Sequence, residues 1–188
     1  MITFPTQART LLKETPGSPK ALLSQWLLWP LREIFIGYQF IRNDLTVTIV
    51  PTSLLMGLAL FQGEVALFDG LLRFASGLVY FSLFIYTFCL SNQLVGLEED
   101  RINKPGRPLP SGLVSKQGAK QRYVAATILF LAFAGWLSVL PWALSWVLIT
   151  IVHNFTAAGK NWFVKSCLLM GLGVLVQLAA AWALVDDQ

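Results

Sequence analysis

Long stretches of this chain carry no charged residue, and their lengths are those of membrane-spanning helices. A helix needs about 20 mainly apolar residues to cross the hydrocarbon core of a bilayer. The charge-free stretches cover residues 45–61, 74–97, 123–159 and 166–185, and Pro141 is a natural break within the third. Because that third stretch is long enough for two spans, the pattern predicts five spans in all.

The segment ahead of the first span has a mixed character. Residues 21–42 are apolar and aromatic but include Pro30 and several charges, so we predict an interfacial helix that leads into the first span. Residues 1–20 form a polar segment without the compact apolar core of a cleavable signal peptide. Backbone groups in lipid must bond within their own segment. We therefore expect an all-α, multi-pass transmembrane bundle, with residues 1–188 as a single domain.

The charges support a membrane protein with a defined orientation. Hydrophobic residues make up 55% of the chain and charged residues 13%, about half the share found in soluble domains. With five spans, 13 of the 14 Lys and Arg residues fall on one side, which positive-inside bias makes the cytosolic side. The N-terminus lies on that side, and Glu64, Asp69, Arg73, Asp186 and Asp187 lie on the other. The net charge of +4 therefore reflects membrane orientation, and we expect no nucleic acid partner.

The most informative polar stretch, residues 92–112, follows the second predicted span. Its charged residues are three consecutive carboxylates and three basic residues: Glu98, Glu99, Asp100, Arg101, Lys104 and Arg107. Carboxylates at the mouth of a membrane helix are costly to place and usually functional. Beside Arg and Lys, they can bind a divalent cation together with a phosphate group.

Helical spacing brings part of this stretch onto one face. Asn92, Gly96 and Asp100 are four residues apart, and Glu99 lies close to the same stripe. Mg²⁺ normally takes one or two carboxylates and completes its shell with phosphate oxygens and water. Asp100, Glu99 and Asn92 are therefore candidate metal ligands. The basic side chains expected to hold the remaining phosphate charge are Arg101, Lys104 and Arg107.

Residues 92–112 resemble the first aspartate-rich motif of the UbiA superfamily of intramembrane prenyltransferases. The matching residues are Asn92, Gly96 in place of the first Asp, Asp100, Arg101, Lys104, Pro105, Arg107, Pro108, Pro110, Ser111 and Gly112. Residues 43–51 and 162–165 also resemble family segments, especially those of divergent fungal-type members. The resemblance covers most of the chain, although its specificity comes from the motif.

The resemblance implies a membrane-embedded, Mg²⁺-dependent enzyme of secondary metabolism that ionises an isoprenyl diphosphate in an apolar cavity. The prenyl group would then pass to an aromatic or other acceptor. Asp100 and Glu99 would be the catalytic, metal-binding carboxylates, with Asn92 as a further ligand. The diphosphate would bind Asn92, Arg101, Lys104 and Arg107. An alternative within the same superfamily is a membrane terpene cyclase acting on farnesyl diphosphate.

Two departures from the family pattern keep another alternative open. Gly96 removes a carboxylate, for which Glu99 is the better substitute and Glu98 the weaker one. The family also carries a second aspartate-rich motif near a sixth span, whereas this sequence stops after its fifth. On these grounds the chain resembles the N-terminal part of a family member, truncated before that motif, and a non-catalytic membrane protein is the third interpretation.

Other residues have ordinary explanations. His153, next to Asn154 near the end of the fourth span, is expected to make a structural hydrogen bond. Arg42, Asn43 and Asp44 form a helix-boundary cluster. Several aromatic residues could line a prenyl cavity, although packing and interfacial anchoring explain them equally well: Phe81, Phe84, Tyr86, Phe88, Trp136, Trp142 and Trp146.

Overall fold

In the computed structural model of this protein, residues 19–63 and 65–185 are described, and this part of the chain contains helices and no strand. The helices are α1 Pro19–Ile41, α2 Leu45–Gln62, α3 Leu67–Val95, α4 Leu97–Asn103, α5 Lys116–Trp136, α6 Leu140–Phe155 and α7 Met170–Ala183. A 3₁₀ turn, Ala157–Lys160, follows α6, and a π-helical segment, Val164–Leu169, precedes α7. The predicted all-α class is confirmed.

Three of the described helical segments are long and apolar enough to cross a membrane: Leu45–Gln62, Leu67–Val95 and Val164–Ala183. They coincide with the first, second and fifth predicted spans. The third predicted span coincides with α5, which opens with Lys116, Lys120 and Arg122. The fourth coincides with α6, which is apolar but only 16 residues long. Length and composition therefore support an integral membrane protein through three helices rather than the predicted five.

The N-terminal and helix-break predictions have different outcomes. Residues 19–41 do form a helix with Pro30 inside it, while its position at a membrane interface stays a prediction. The expected break near Pro141 is present, because α6 begins at Leu140 with this proline in its first turn. Residues 1–18, Glu64 and residues 186–188 lie outside the described residues.

The chain divides into two compact units, residues 1–38 and 39–188, and the second contains α2 to α7. In that second unit, α3 packs against α2, α5 and α6, and α7 packs against α2 and α6. Phe84 of α3 stacks on Trp146 of α6, with ring centroids 3.9 Å apart and planes 8° apart. The Trp146 indole N–H also donates to the Phe84 carbonyl over 2.9 Å. This pair joins α3 to α6 at the centre of the core.

The seven aromatic residues separate into three groups by exposure. Phe81, Phe84 and Trp146 are buried in the core, where packing accounts for them. Tyr86 and Phe88 are half-buried, and Trp136 and Trp142 are exposed. Gly173 of α7 allows the close approach to this core, since a Cβ there would come within 2.7 Å of the Trp146 ring. Small residues permit such close contacts between membrane helices.

A hydrogen bond between helices compensates for a proline within α2. Pro51 has no N–H, so the carbonyl of Val47 loses its usual partner four residues later. The side-chain amide of Gln177 in α7 donates to this carbonyl over 3.4 Å and to the Thr48 carbonyl over 3.2 Å. Because an unsatisfied carbonyl is costly in lipid, this side chain supports both α2 and its packing on α7.

We expect Gln177→Met, which keeps side-chain length and removes the amide, to lower the free energy of unfolding by about 1 kcal/mol. The loss should be smaller in a Pro51→Ala background, where the restored N–H of residue 51 can reach the Val47 carbonyl. SDS-induced unfolding in detergent micelles measures both. Thr127→Val is the matched control, because its hydroxyl bonds only within α5. Equal losses in the two backgrounds would contradict the assigned role of Gln177.

Candidate functional site

Gly96 is the joint at which α3 ends and α4 begins. The Gly96 N–H donates to the Asn92 carbonyl over 2.9 Å, and the Asp100 N–H donates to the Gly96 carbonyl over 2.8 Å. The stripe of Asn92, Gly96 and Asp100 expected from helical spacing is therefore kept across the joint. A Cβ on residue 96 would lie 3.1 Å from the Asn92 carbonyl oxygen. Any side chain here, including the Asp of the family pattern, would require this joint to shift slightly.

The buried ion pair between Asp100 and Arg107 joins α4 to the loop that follows it. Arg107 Nη1 lies 2.7 Å from Asp100 Oδ2, and only 14% of the Arg107 side chain and 9% of the Asp100 side chain are exposed. The loop turns back through backbone bonds from the Lys104 N–H to the Asp100 carbonyl and from the Arg107 N–H to the Lys104 carbonyl. Buried Pro108 and Leu109 anchor it. The loop thus holds a guanidinium against the last carboxylate of the acidic run.

Arg101 faces elsewhere. It pairs with Glu98 over 2.8 Å, and 57% of the Arg101 side chain and 79% of the Glu98 side chain are exposed. Neither residue lines the cavity described next. Of the six residues predicted for the site, the structure therefore brings five together and leaves Arg101 on the outer surface of α4.

A cavity of about 590 Å³ opens where α3 and α4 meet the end of α6. The motif contributes Asn92, Val95, Gly96, Glu99, Asp100, Lys104 and Arg107 to its lining. The end of α6 and the segment before α7 contribute His153, Asn154, Phe155, Thr156, Ala157, Gly159, Lys160 and Lys165. Four basic and two acidic side chains thus line one space, an arrangement that favours an anion accompanied by a cation.

Lys160 and Lys165 are the charged lining residues that the sequence does not predict for the site. The charge pattern nevertheless predicts that both lie on the side of the motif, and Lys165 belongs to the family-like segment 162–165. Gly159 makes their position possible, because a Cβ on this residue would overlap the carbonyl oxygen of His153. The 3₁₀ turn can therefore pack directly against the last turn of α6 and direct the following segment to the cavity.

A chain of hydrogen bonds runs beneath this side of the cavity. His153 Nδ1 lies 2.8 Å from Asn154 Oδ1, and Asn154 Nδ2 donates to Ser91 Oγ over 2.7 Å. Ser91 in turn donates to the Phe88 carbonyl over 2.9 Å. The hydrogen bond expected of His153 is present within α6, and the Asn154–Ser91 bond links α6 to α3. Asp44, by contrast, accepts from Cys89 Sγ over 3.4 Å and does not line the cavity.

The donor set is compatible with Mg²⁺ shared between protein and substrate. No group of three or more His, Cys, Asp or Glu side chains in the described part of the chain could hold a metal by itself. Glu99, Asp100 and Asn92 nevertheless offer oxygen atoms to one cavity. Mg²⁺ usually binds through one or two carboxylates plus phosphate oxygens and water. These residues therefore suit an ion that arrives with a phosphorylated ligand.

Comparison with known proteins identifies the family of this chain. Residues 49–188 match the UbiA prenyltransferase family. The chain belongs to this family. The "Somaliensene A/B synthase" of Streptomyces somaliensis is 41% identical over 154 residues, which cover 82% of this chain and 51% of that relative. No significant match to a solved structure was found.

Two relatives from Hericium erinaceus carry different functional names. The "Polyprenyl transferase eriF" is 36% identical over 82% of this chain and 54% of its own length. The "Diterpene cyclase eriG" is 37% identical over 80% of this chain and 49% of its own length. The UbiA-family chain described here thus spans about half the length of the curated relatives it matches.

We expect Arg107→Met to lower the free energy of unfolding by about 3 kcal/mol, because it leaves the Asp100 carboxylate buried without its partner. Arg101→Met is the matched control: it breaks an exposed pair and should cost less than about 1 kcal/mol. Adding Asp100→Asn to Arg107→Met should recover part of the loss. Thermal denaturation in detergent checks the series, and equal effects of the two arginine variants would contradict a buried pair.

Proposed function

We propose that this UbiA-family chain provides the diphosphate site of a Mg²⁺-dependent membrane prenyltransferase. The cavity would bind the diphosphate of an isoprenyl diphosphate, with Asp100, Glu99 and Asn92 on the Mg²⁺ side. The observation that carries the proposal is the Asp100–Arg107 pair on the wall of a cavity that also has three lysines. An aromatic acceptor belongs to the same proposal, and its support is the family pattern.

The cavity lining explains how ionisation could be assisted. Mg²⁺ held by Asp100, Glu99 and Asn92 would supply Lewis-acid stabilisation of the diphosphate. Lys104, Lys160 and Lys165 provide flexible ammonium donors for its oxygens. Arg107 is already oriented by Asp100, so binding a phosphate oxygen requires little further ordering of its side chain. Together these groups favour the charge that develops when the bond between C1 and the diphosphate oxygen breaks.

The packing below the cavity limits where the prenyl chain can lie. A volume of about 590 Å³ is within the usual range for a small-molecule site. Deeper between α3 and α6, however, the stacked Phe84 and Trp146 fill the core. Val95 and Phe155 line the cavity and are exposed, so they offer an apolar route outward. We place the first carbon atoms of the substrate beside these two residues.

We also place the motif loop and the N-terminus on the cytosolic side. Thirteen of the 14 Lys and Arg residues support this orientation through positive-inside bias. The three described helices that qualify as spans support integration into the lipid bilayer. The cavity would then open toward the cytosol, where soluble prenyl diphosphates and Mg²⁺ are accessible.

A terpene cyclase is the second candidate function. Its support is that the matched relatives include proteins named as a synthase and as a diterpene cyclase beside one named as a polyprenyl transferase. Both reactions begin with the same loss of diphosphate. They differ in whether an acceptor or the substrate's own double bond captures the cation.

Membranes containing the protein should release diphosphate from farnesyl or geranylgeranyl diphosphate when Mg²⁺ is present. The assay is run on the 188-residue chain and on the complete product of its gene. Product that requires an added aromatic acceptor supports the transferase, and a hydrocarbon or alcohol formed without acceptor supports the cyclase. Release no greater than that of membranes lacking the protein, from either form, would rule out both enzymatic candidates and leave a non-catalytic membrane protein.

Adjacent carboxylates provide a matched test of the metal site. Glu99→Gln should lower the rate of diphosphate release and raise the Mg²⁺ concentration needed, because Glu99 lines the cavity. Glu98→Gln should change neither, since Glu98 pairs with Arg101 away from the cavity. Asp100→Ala should reduce the rate by about 100-fold, the scale of losing one electrostatic contact to a developing charge. Equal effects at positions 98 and 99 would contradict the assignment.

A further inference from the structure

The direction of the hydrogen-bond chain at the cavity is determined by a backbone carbonyl. Ser91 lies in α3, where its hydroxyl donates to the Phe88 carbonyl. A serine hydroxyl has one proton, so Ser91 Oγ can only accept from its other neighbour. That neighbour is the Asn154 side chain at 2.7 Å, which must therefore present its NH₂ group to Ser91.

The orientation of Asn154 then determines the tautomer of His153. With its NH₂ group directed to Ser91, the amide presents its oxygen to His153 Nδ1 over 2.8 Å. Amide oxygen accepts and does not donate, so Nδ1 must carry a proton. In the neutral imidazole this leaves the lone pair on Nε2. The chain from the Phe88 carbonyl to His153 thus prepares one ring nitrogen as a proton acceptor.

The other ring nitrogen, Nε2, belongs to a residue of the cavity lining. His153 is one of the lining residues, and Nε2 has no hydrogen-bond partner in the described part of the chain. The fully buried side-chain atoms without partners there are Tyr80 Oη, Gln93 Oε1 and Thr150 Oγ1, and Nε2 is not one of them. The Phe88 ring meets the imidazole edge-on, with centroids 5.1 Å apart, and restricts its rotation.

We propose that His153 Nε2 accepts the proton that the product loses after prenyl-diphosphate ionisation. This inference rests on the proposed function. The C1–oxygen bond breaks and the diphosphate leaves with the electron pair. A carbon–carbon bond then forms at the cation, from an acceptor ring or from the substrate's own double bond. One C–H bond next to the new cation breaks, its electrons form the double bond or restore the ring, and its proton passes to Nε2.

The proposal gives Asn154 and Ser91 positioning roles. They touch His153 or one another and set the side of the ring that carries the lone pair. The His153–Asn154–Ser91 chain joins α6 to α3 close to Asn92 and Glu99, so the proton acceptor shares the cavity with the proposed diphosphate site. A proton removed there can leave through the open mouth of the cavity once product has departed.

His153→Asn isolates the proposed acceptor. An asparagine amide can replace Nδ1 as donor to Asn154 but has no counterpart of Nε2. We expect this variant to bind inorganic pyrophosphate with Mg²⁺ as the parent protein does, measured as a thermal shift in detergent. Its rate of product formation should fall about 100-fold, the lower range for loss of a general base. The assay uses the complete gene product in membranes, with farnesyl or geranylgeranyl diphosphate.

A second variant tests proton transfer directly. His153→Ala should be slow, and added imidazole should restore product formation at least 10-fold without changing pyrophosphate binding. Ser145→Ala is the matched control on the same helix, because its hydroxyl bonds only the Pro141 carbonyl, and it should match the parent protein.

The outcomes separate this inference from the proposed function. Full product formation by His153→Asn would overturn it, leaving the departing diphosphate as the proton acceptor. Loss of pyrophosphate binding in both variants, without rescue by imidazole, would also overturn it and make His153 a structural or ligand-binding residue. If the parent protein released no diphosphate, the proposed function would fail first, and this inference with it.

Discussion

The need to satisfy backbone and side-chain polar groups without bulk water organises this bundle. A side chain of one helix can supply a hydrogen bond that a neighbouring helix lacks. Gln177 of α7 donates to the Val47 carbonyl, which Pro51 leaves without its usual partner in α2. Trp146 of α6 donates to a carbonyl of α3, and Arg73 at the start of α3 donates to the Val185 carbonyl over 2.7 Å. The two partners of each bond are far apart in sequence. In an apolar surrounding, such bonds specify which helices pack together, whereas apolar contacts alone are less selective.

The same requirement explains where the candidate site lies. Charged side chains collect at the helix ends, and the Asp100–Arg107 pair is buried there because each side chain compensates the charge of the other. The cavity forms beside this pair, where α3, α4 and the end of α6 meet. Below it, the Phe84–Trp146 stack closes the core. The proposed diphosphate site therefore lies at the polar end of an apolar bundle, with Lys104, Lys160 and Lys165 in its lining.

The charge-free stretches of the sequence predicted where the helices lie more accurately than how many of them are long and apolar enough to cross a membrane. The charge-free stretches overlap every long helix from α2 onward, because lipid favours apolar side chains and also requires a helical backbone. Three of the five predicted spans coincide with described helices that are long and apolar enough to cross a membrane. The third stretch is divided between α5, which opens with three basic residues, and α6, which is 16 residues long. Within residues 92–112, helical spacing correctly grouped Asn92, Gly96 and Asp100. It could not distinguish Arg107 from Arg101, because loop geometry rather than periodicity directs the former to Asp100.

By itself, the sequence determined the membrane character, the helical class and the family of this protein, since all three follow from local composition and one contiguous motif. Tertiary structure decided which side chains share the cavity. Lys160 and Lys165 reach it only because Gly159 lets the chain pack against the His153 carbonyl. The tautomer that we infer for His153 depends on the contact of Asn154 with Ser91, 63 residues away along the chain. Such contacts depend on how helices dock, and the physical reason they escape sequence reasoning is that neither hydropathy nor spacing encodes the approach of two distant helix faces.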